Sequence, residues 1–238
     1  MLIGNDLIDI RTREARGKAS DGRFIARVFT PSEAACIESS SDPDHTLWIL
    51  WAGKEAAYKI AKKLRPATIF AHAAYEVTPA AHEPARDRQP TERFRGHVHI
   101  RGMQGLEGIS FPVEWEVTAS FVHCVAIESA ADAPHVWSKV ASHEELERAS
   151  YPYEPSEREL VSVRSAESIA VRRLARELAR EAGLGDVEIV RERSGATFGP
   201  PRLFPAGGTA PLAGWDLSLS HDGNFAAAAL SGVVRRLA

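Results

Sequence analysis

Trp51-Ala52-Gly53-Lys54-Glu55-Ala56-Ala57-Tyr58-Lys59 is the stretch on which the reading of this chain turns. Glu55 and Lys59 are four residues apart in a run with helical periodicity, which sets a carboxylate and an ammonium on one face, one turn apart. Such a pair can hold a divalent metal through the acid and a phosphate through the amine. It can equally be a surface ion pair with Glu one turn ahead of Lys. The apolar positions Leu47, Leu50, Trp51, Tyr58 and Ala61 predict a helix from about Leu47 to Lys63, and Pro66 blocks its extension.

Working outward, Leu2 to Ile10 reads as a strand entering the core, interrupted by Gly4 and Asp6. Thr30-Pro31-Ser32-Glu33 is a helix start, with Thr30 as cap, Pro31 at the first position and Glu33 at the third. Residues 39–46 read as a Ser- and Asp-rich loop. Ala74–Thr78 and His97–Arg101 look like strands, with a charged loop at Pro79–Gly96 expected to be mobile. Val113–Glu128 reads as one long strand or two broken near Ala119-Ser120. Residues 129–160 look like a connection with a helical patch near Val136–Arg148. Arg164–Ala182 is then an amphipathic helix, striped by Ala170, Leu174, Leu178 and Ala182 and stopped by Gly183. Val187–Arg191 is a strand and Gly195–Gly214 irregular chain. Trp215–Ser220 and Phe225–Val234 form a hairpin around Asp222-Gly223.

The order strand, helix, strand, strand thus occurs twice. An α+β chain of two related halves follows, residues 1–128 and 155–238 joined by 129–154. A ligand is expected at their junction.

Composition narrows the function classes. The 238 residues are 44% hydrophobic and 26% charged, ordinary values for a globular protein. A formal net charge of −3 argues against a general nucleic-acid binder. No apolar run is long enough to span a membrane, and the first residues lack a signal-peptide layout, so a cytoplasmic protein is expected. Cys36 and Cys124 stand alone and read as buried thiols. His97 and His99 alternate within a strand-like stretch with no third ligand at zinc spacing. Arg11, Arg13, Arg16, Lys18, Arg23 and Arg27 outnumber Asp9, Glu14 and Asp21. That run is either a solvated face or a docking patch for an acidic partner.

Asp6, on a strand, and Glu55, on a helix, are hard oxygen ligands on rigid elements. With water and a phosphate they would complete a Mg²⁺ site, and Lys59 would face the same phosphates. Lys54, Lys62 and Lys63 would add positive field. In the other half, Ser220 and His221 close a strand before a turn.

Together these segments resemble the 4′-phosphopantetheinyl transferase superfamily. The family pattern opens with Gly-x-Asp, here Gly4-Asn5-Asp6. It continues with a segment like Arg27-Val28-Phe29-Thr30-Pro31-Ser32-Glu33. It then has Trp51 to Lys59, and ends on Ser218-Leu219-Ser220-His221-Asp222. The resemblance implies the fold of that family and Mg²⁺-dependent transfer of 4′-phosphopantetheine from coenzyme A to a serine of an acyl or peptidyl carrier protein, releasing 3′,5′-ADP. Such carriers serve fatty acid, polyketide or nonribosomal peptide synthesis. A non-catalytic relative that binds carrier or coenzyme A is the alternative. Residue by residue, Asp6 and Glu55 match the metal acids, with Glu55 also the candidate base. Lys59 matches the pyrophosphate lysine, Ser220 and His221 the pair on coenzyme A phosphates, and Arg164-Ser165 an Arg-Thr pair holding the 3′-phosphate at a helix N-terminus.

The chain also departs from the family. The small trimeric synthases carry one half per chain. The larger transferases carry two, with Ser-His first and the acids second, whereas here the acids come first. Ile8 stands where a third acid is usual, and Asp9 is expected on the opposite strand face. Lys62-Lys63-Leu64-Arg65-Pro66 lacks the usual Gly-rich turn. Glu167 is the expected second-half equivalent of Glu55, with Val171 in place of the lysine. Thr118-Ala119-Ser120-Phe121 is expected where Ser-His would stand in the first half. Complementary losses predict one working site in a monomeric pseudo-dimer.

Overall fold

The computed structural model describes residues 1–79, 91–129, 135–148, 153–163, 165–195 and 197–232. The chain divides into two compact units, one of residues 4–129 and one of residues 1–3 with 130–238.

The first unit is a five-stranded sheet with a long helix on it. Strand β1 (Ile3–Asp9) is buried along its whole length. Helices α1 (Gly22–Val28), α2 (Pro31–Ser39) and α3 (Pro43–Leu64) follow. The sheet is completed by β2 (Tyr75–Pro79), β3 (Thr91–Ile100), β4 (Ser110–Thr118) and β5 (Phe121–Ile127) in the order β1-β5-β4-β3-β2. The capping box at Thr30 forms as its spelling requires: Thr30 Oγ1 accepts from Glu33 N, and Glu33 accepts from Thr30 N. Helix α3 begins earlier than its apolar pattern suggests. Asp42 caps it by accepting from His45 N, and Pro43 takes the first position, so Ser-Asp chain becomes helix start rather than loop. Lys62 and Lys63 lie in its last turn, where cations suit the helix dipole.

Helix α3 lies across β5, β2 and β4. Two glycines permit the close approach. A Cβ on Gly4 would collide with the Ala56 carbonyl of α3, and one on Gly53 would come within 3.0 Å of the Trp115 ring of β4. Trp115 is fully buried and donates its indole N–H to Ile49 O at 2.9 Å. The charged loop expected over 79–96 is partly strand. Pro79 ends β2, Thr91 onward is β3, and 80–90 lie outside the described residues. The polar side chains of β3 alternate with inward ones, so charge there marks an outer sheet face rather than a loop.

The second unit has β6 (His135–Ser142), α4 (His143–Arg148), α5 (Glu157–Leu160), α6 (Ala166–Glu181), β7 (Val187–Ser194), β8 (Thr197–Pro205), β9 (Trp215–Asp222) and β10 (Phe225–Gly232). Strands pair as β6-β10-β9 and β7-β8, with β8 running beside β9. Helix α6 packs on β10, β9 and β7. Its Leu174, Ala175, Leu178 and Ala179 join Ile189, Leu203 and Leu230 in one apolar core. Gly183, at φ 81°, closes the helix in the left-handed conformation, with Leu184 N reaching back to Ala179 O at 2.9 Å. Two readings of this half need correction. Residues 135–142 are a sheet strand, not part of a connection, and Pro-bearing 197–205 is strand β8 rather than irregular chain. Pro200, Pro201 and Pro205 hid β8 because proline is usually excluded from central ladders.

Candidate active site

Three expected site residues of the first unit converge where β1 passes under α3. Lys59 Nζ lies 3.1 Å from Asp6 Oδ1 and donates to Asn5 O at 2.6 Å. Glu55 sits one turn back on the same helix face, half-buried. Burial first, then the negative charge of Asp6, push the Glu55 carboxyl up to about 7, while Lys59 works in the other direction. The Gly in Gly4-Asn5-Asp6 follows from the same geometry. Without a Cβ at Gly4 the strand can lie on the Ala56 backbone, which brings Asp6 beside the helix turn that carries Glu55.

Two further side chains support this group and were not anticipated. Asn5 is fully buried, and its Nδ2 lies 3.3 Å from His123 Nε2 of β5. Burial, and then Lys59 and Arg93, pull the His123 imidazole down to about 3, so it is neutral at physiological pH. Its only sequence signal is a single imidazole in the apolar run Phe121–Ile127.

Lys54 does not contribute the positive field expected of it. Its ammonium is fully buried, 2.7 Å from Glu33 Oε2, and also donates to Tyr75 O and His72 O. Glu33 in turn accepts from Val77 N at 2.8 Å. Lys54 thus ties α3 to α2 and β2, and its charge is neutralised inside the core. Lys62 donates to Thr68 O. Asp9 is buried and accepts from Arg11 N and Nε, which closes the turn after β1. In the basic run, Arg13, Arg16, Arg23 and Arg27 are exposed, while Lys18 is paired with Asp21.

Among the described residues no three His, Cys, Asp or Glu side chains form a metal-binding group. Asp6 and Glu55 offer two carboxylate oxygens held against each other's charge. That donor set suits a hard ion that keeps water and substrate phosphate as its remaining ligands, as Mg²⁺ does. It does not suit zinc.

In the second unit Ser220 is buried and His221 exposed near the end of β9. Ser165 caps α6 by accepting from Ser168 N. Glu167, in the first helical turn, has its carboxyl held low by Ser165 first, with charges on His221 and His143 contributing. The charge on His221 thus reaches the first turn of α6. Arg164 lies outside the described residues. Glu167 is half-buried in the first turn of α6, whereas Glu55 lies past the middle of α3. Likewise Thr118–Phe121 make the β4–β5 turn. Before that turn Val117 pairs with Val122, and in the second unit His221 pairs with Ala226.

No curated protein matches this chain. Residues 2–101, the span from β1 to the end of β3 that holds Asp6, Glu33, Lys54, Glu55 and Lys59, match the family model of the 4′-phosphopantetheinyl transferase superfamily.

Proposed function

We propose that the chain is a Mg²⁺-dependent 4′-phosphopantetheinyl transferase acting on an apo acyl or peptidyl carrier protein. The observation that carries this is the convergence of Asp6, Glu55 and Lys59 inside the matched span, with an ion pair of 3.1 Å between two of them. The carrier serine hydroxyl attacks the phosphorus that bears pantetheine. A new P–O bond forms, the pyrophosphate P–O bond breaks, and 3′,5′-ADP leaves with the electron pair. Glu55 takes the serine proton as general base. Lys59 holds the pyrophosphate and offsets charge on the leaving oxygen. A Mg²⁺ held by Asp6 and Glu55 would neutralise phosphate charge. Phosphoryl transfer asks mainly for such neutralisation and for positioning.

Ser220, His221, Ser165 and Arg164 are assigned to coenzyme A phosphates. The assignment is supported by their sequence pattern and by the charge of His221 acting on the first turn of α6, where an anion is favoured. Arg13, Arg16, Arg23 and Arg27 are assigned to the acidic carrier. The two units are read as related halves of a monomer working in the cytoplasm, without nucleic acid or membrane. No helix among the described residues is long and apolar enough to cross a bilayer. The test is incubation with coenzyme A, Mg²⁺ and a panel of apo carriers, followed by mass spectrometry. A phosphopantetheine adduct on a carrier serine with release of 3′,5′-ADP is expected. Binding without an adduct on any carrier would leave a non-catalytic relative. A trimer in sedimentation would overturn the monomeric reading.

A further inference from the structure

The two units share a buried framework that their sequences barely show. In the first, Glu33 of the α2 capping box accepts from Lys54 Nζ of the long helix at 2.7 Å and from Val77 N of β2 at 2.8 Å. In the second, Glu159 of the α5 capping box accepts from Arg176 Nη2 of the long helix at 2.5 Å and from Ile189 N of β7 at 2.8 Å. Each Glu is buried. Arg176 therefore stands where Lys54 stands, and the following residues align without a gap. Glu177 takes the place of Glu55 and Glu181 that of Lys59.

The strands give an independent register. Ile10 N donates to Ser120 O just before β5, and His143 N donates to Asn224 O just before β10. The hairpins agree, since Val113↔Ala126 in one matches Leu217↔Leu230 in the other. Counting four residues back along each first strand pairs Asp6 with Lys139. The trio Asp6, Glu55, Lys59 thus becomes Lys139, Glu177, Glu181. In the second unit Lys139 Nζ lies 2.8 Å from Glu177 Oε1 and 2.8 Å from Glu181 Oε1. Burial works against that ammonium, and the two carboxylate bonds outweigh it and raise its pKa.

We propose that Lys139 is a built-in cation filling the second unit's counterpart of the Asp6–Glu55 site, so that the chain takes one divalent ion rather than two. This rests on the metal reading of Asp6 and Glu55. The exchange of an acid for a base on the strand, and of a base for an acid on the helix, keeps two carboxylates around one positive centre. The centre is now a covalently attached ammonium, which a divalent ion would have to displace against like charge.

The test is Mn²⁺ binding to the full chain, counted by the electron paramagnetic resonance of free Mn²⁺. One equivalent is expected for the wild type, lost in Glu55→Gln. Lys139→Asp is expected to bind a further equivalent, kept in the Glu55→Gln background and lost with Glu177→Gln. A folded Lys139→Asp chain with no added equivalent overturns the proposal. If the wild type binds none while Lys139→Asp binds one, the metal reading of Asp6 and Glu55 fails and the role of Lys139 stands. Should Lys139→Asp fail to fold, the wild type decides. Amide resonances of the ¹⁵N-labelled chain near Glu55 should broaden on adding Mn²⁺, and those at Glu177–Glu181 should not. Site-specific broadening at Glu177–Glu181 overturns the proposal.

Discussion

Lys54 and Lys59 lie five residues apart in one motif, and their replacement by Met should give opposite phenotypes. The side chains of Lys54 and Glu33 are 0% and 2% exposed, and Lys54 Nζ makes three hydrogen bonds. Lys54→Met leaves the Glu33 carboxylate buried without its counter-ion and leaves the Tyr75 and His72 carbonyls short of a donor. Removing one member of a buried ion pair costs about 3–5 kcal/mol. Lys59 is 28% exposed, its pair with Asp6 is reached by solvent, and such pairs are worth about 1 kcal/mol or less. Lys59→Met should therefore keep the fold and lose carrier modification. Urea unfolding, followed by circular dichroism and by hydrogen exchange of α3 amides, measures the first quantity; adduct formation on the carrier measures the second. Lys54→Met with Glu33→Gln should cost less than the sum of the single changes, with a coupling of roughly 0.5–3 kcal/mol. A Lys54→Met chain within about 1 kcal/mol of wild type, or a Lys59→Met chain that unfolds, would refute the division of labour between the two lysines.

Asp6→Asn and Glu55→Gln should each lower transfer by at least about 10²-fold with the circular dichroism unchanged; full activity in either at low Mg²⁺ would remove it from the site. The His123 imidazole is held neutral in the fold, at about 3 against 6.5 unfolded, so its charged form is the destabilised one. Its contribution is complete above pH 6.5 and is lost as pH falls toward 3. Between pH 6.5 and 5 this amounts to about 2 kcal/mol, read as a falling urea midpoint that His123→Gln should flatten. Reversing exposed Arg13, Arg16, Arg23 or Arg27 to Glu should raise the carrier KM more than that of coenzyme A, an effect that fades with salt. Four reversals without effect at low salt would make the run an ordinary solvated face.

The sequence by itself determined those features whose cause is local. The Thr30 capping box, the helix through Glu55 and Lys59, the α6 stop at Gly183 and the β9–β10 hairpin are written in spacing and turn chemistry within a few residues. The candidate acids were legible for a different reason. Gly4-Asn5-Asp6 and Trp51 to Lys59 are motifs whose residue types the chemistry demands. What only the tertiary structure decided are the partnerships over long separations. Lys54 reads as one more surface cation until Glu33, from another helix, is found beneath it. His123 reads as a stray polar residue until Asn5 of β1 meets it across the sheet. Strands β6 and β8 were missed because alternation is weak in the first and proline interrupts the second, and pairing with β10 and β7 supplies what local pattern does not. On the register proposed above the counterpart of Glu55 is Glu177, ten residues beyond the Glu167 that sequence spacing offers. Helical periodicity repeats along a helix, and only the bond from Arg176 to buried Glu159 says which turn lies over the sheet.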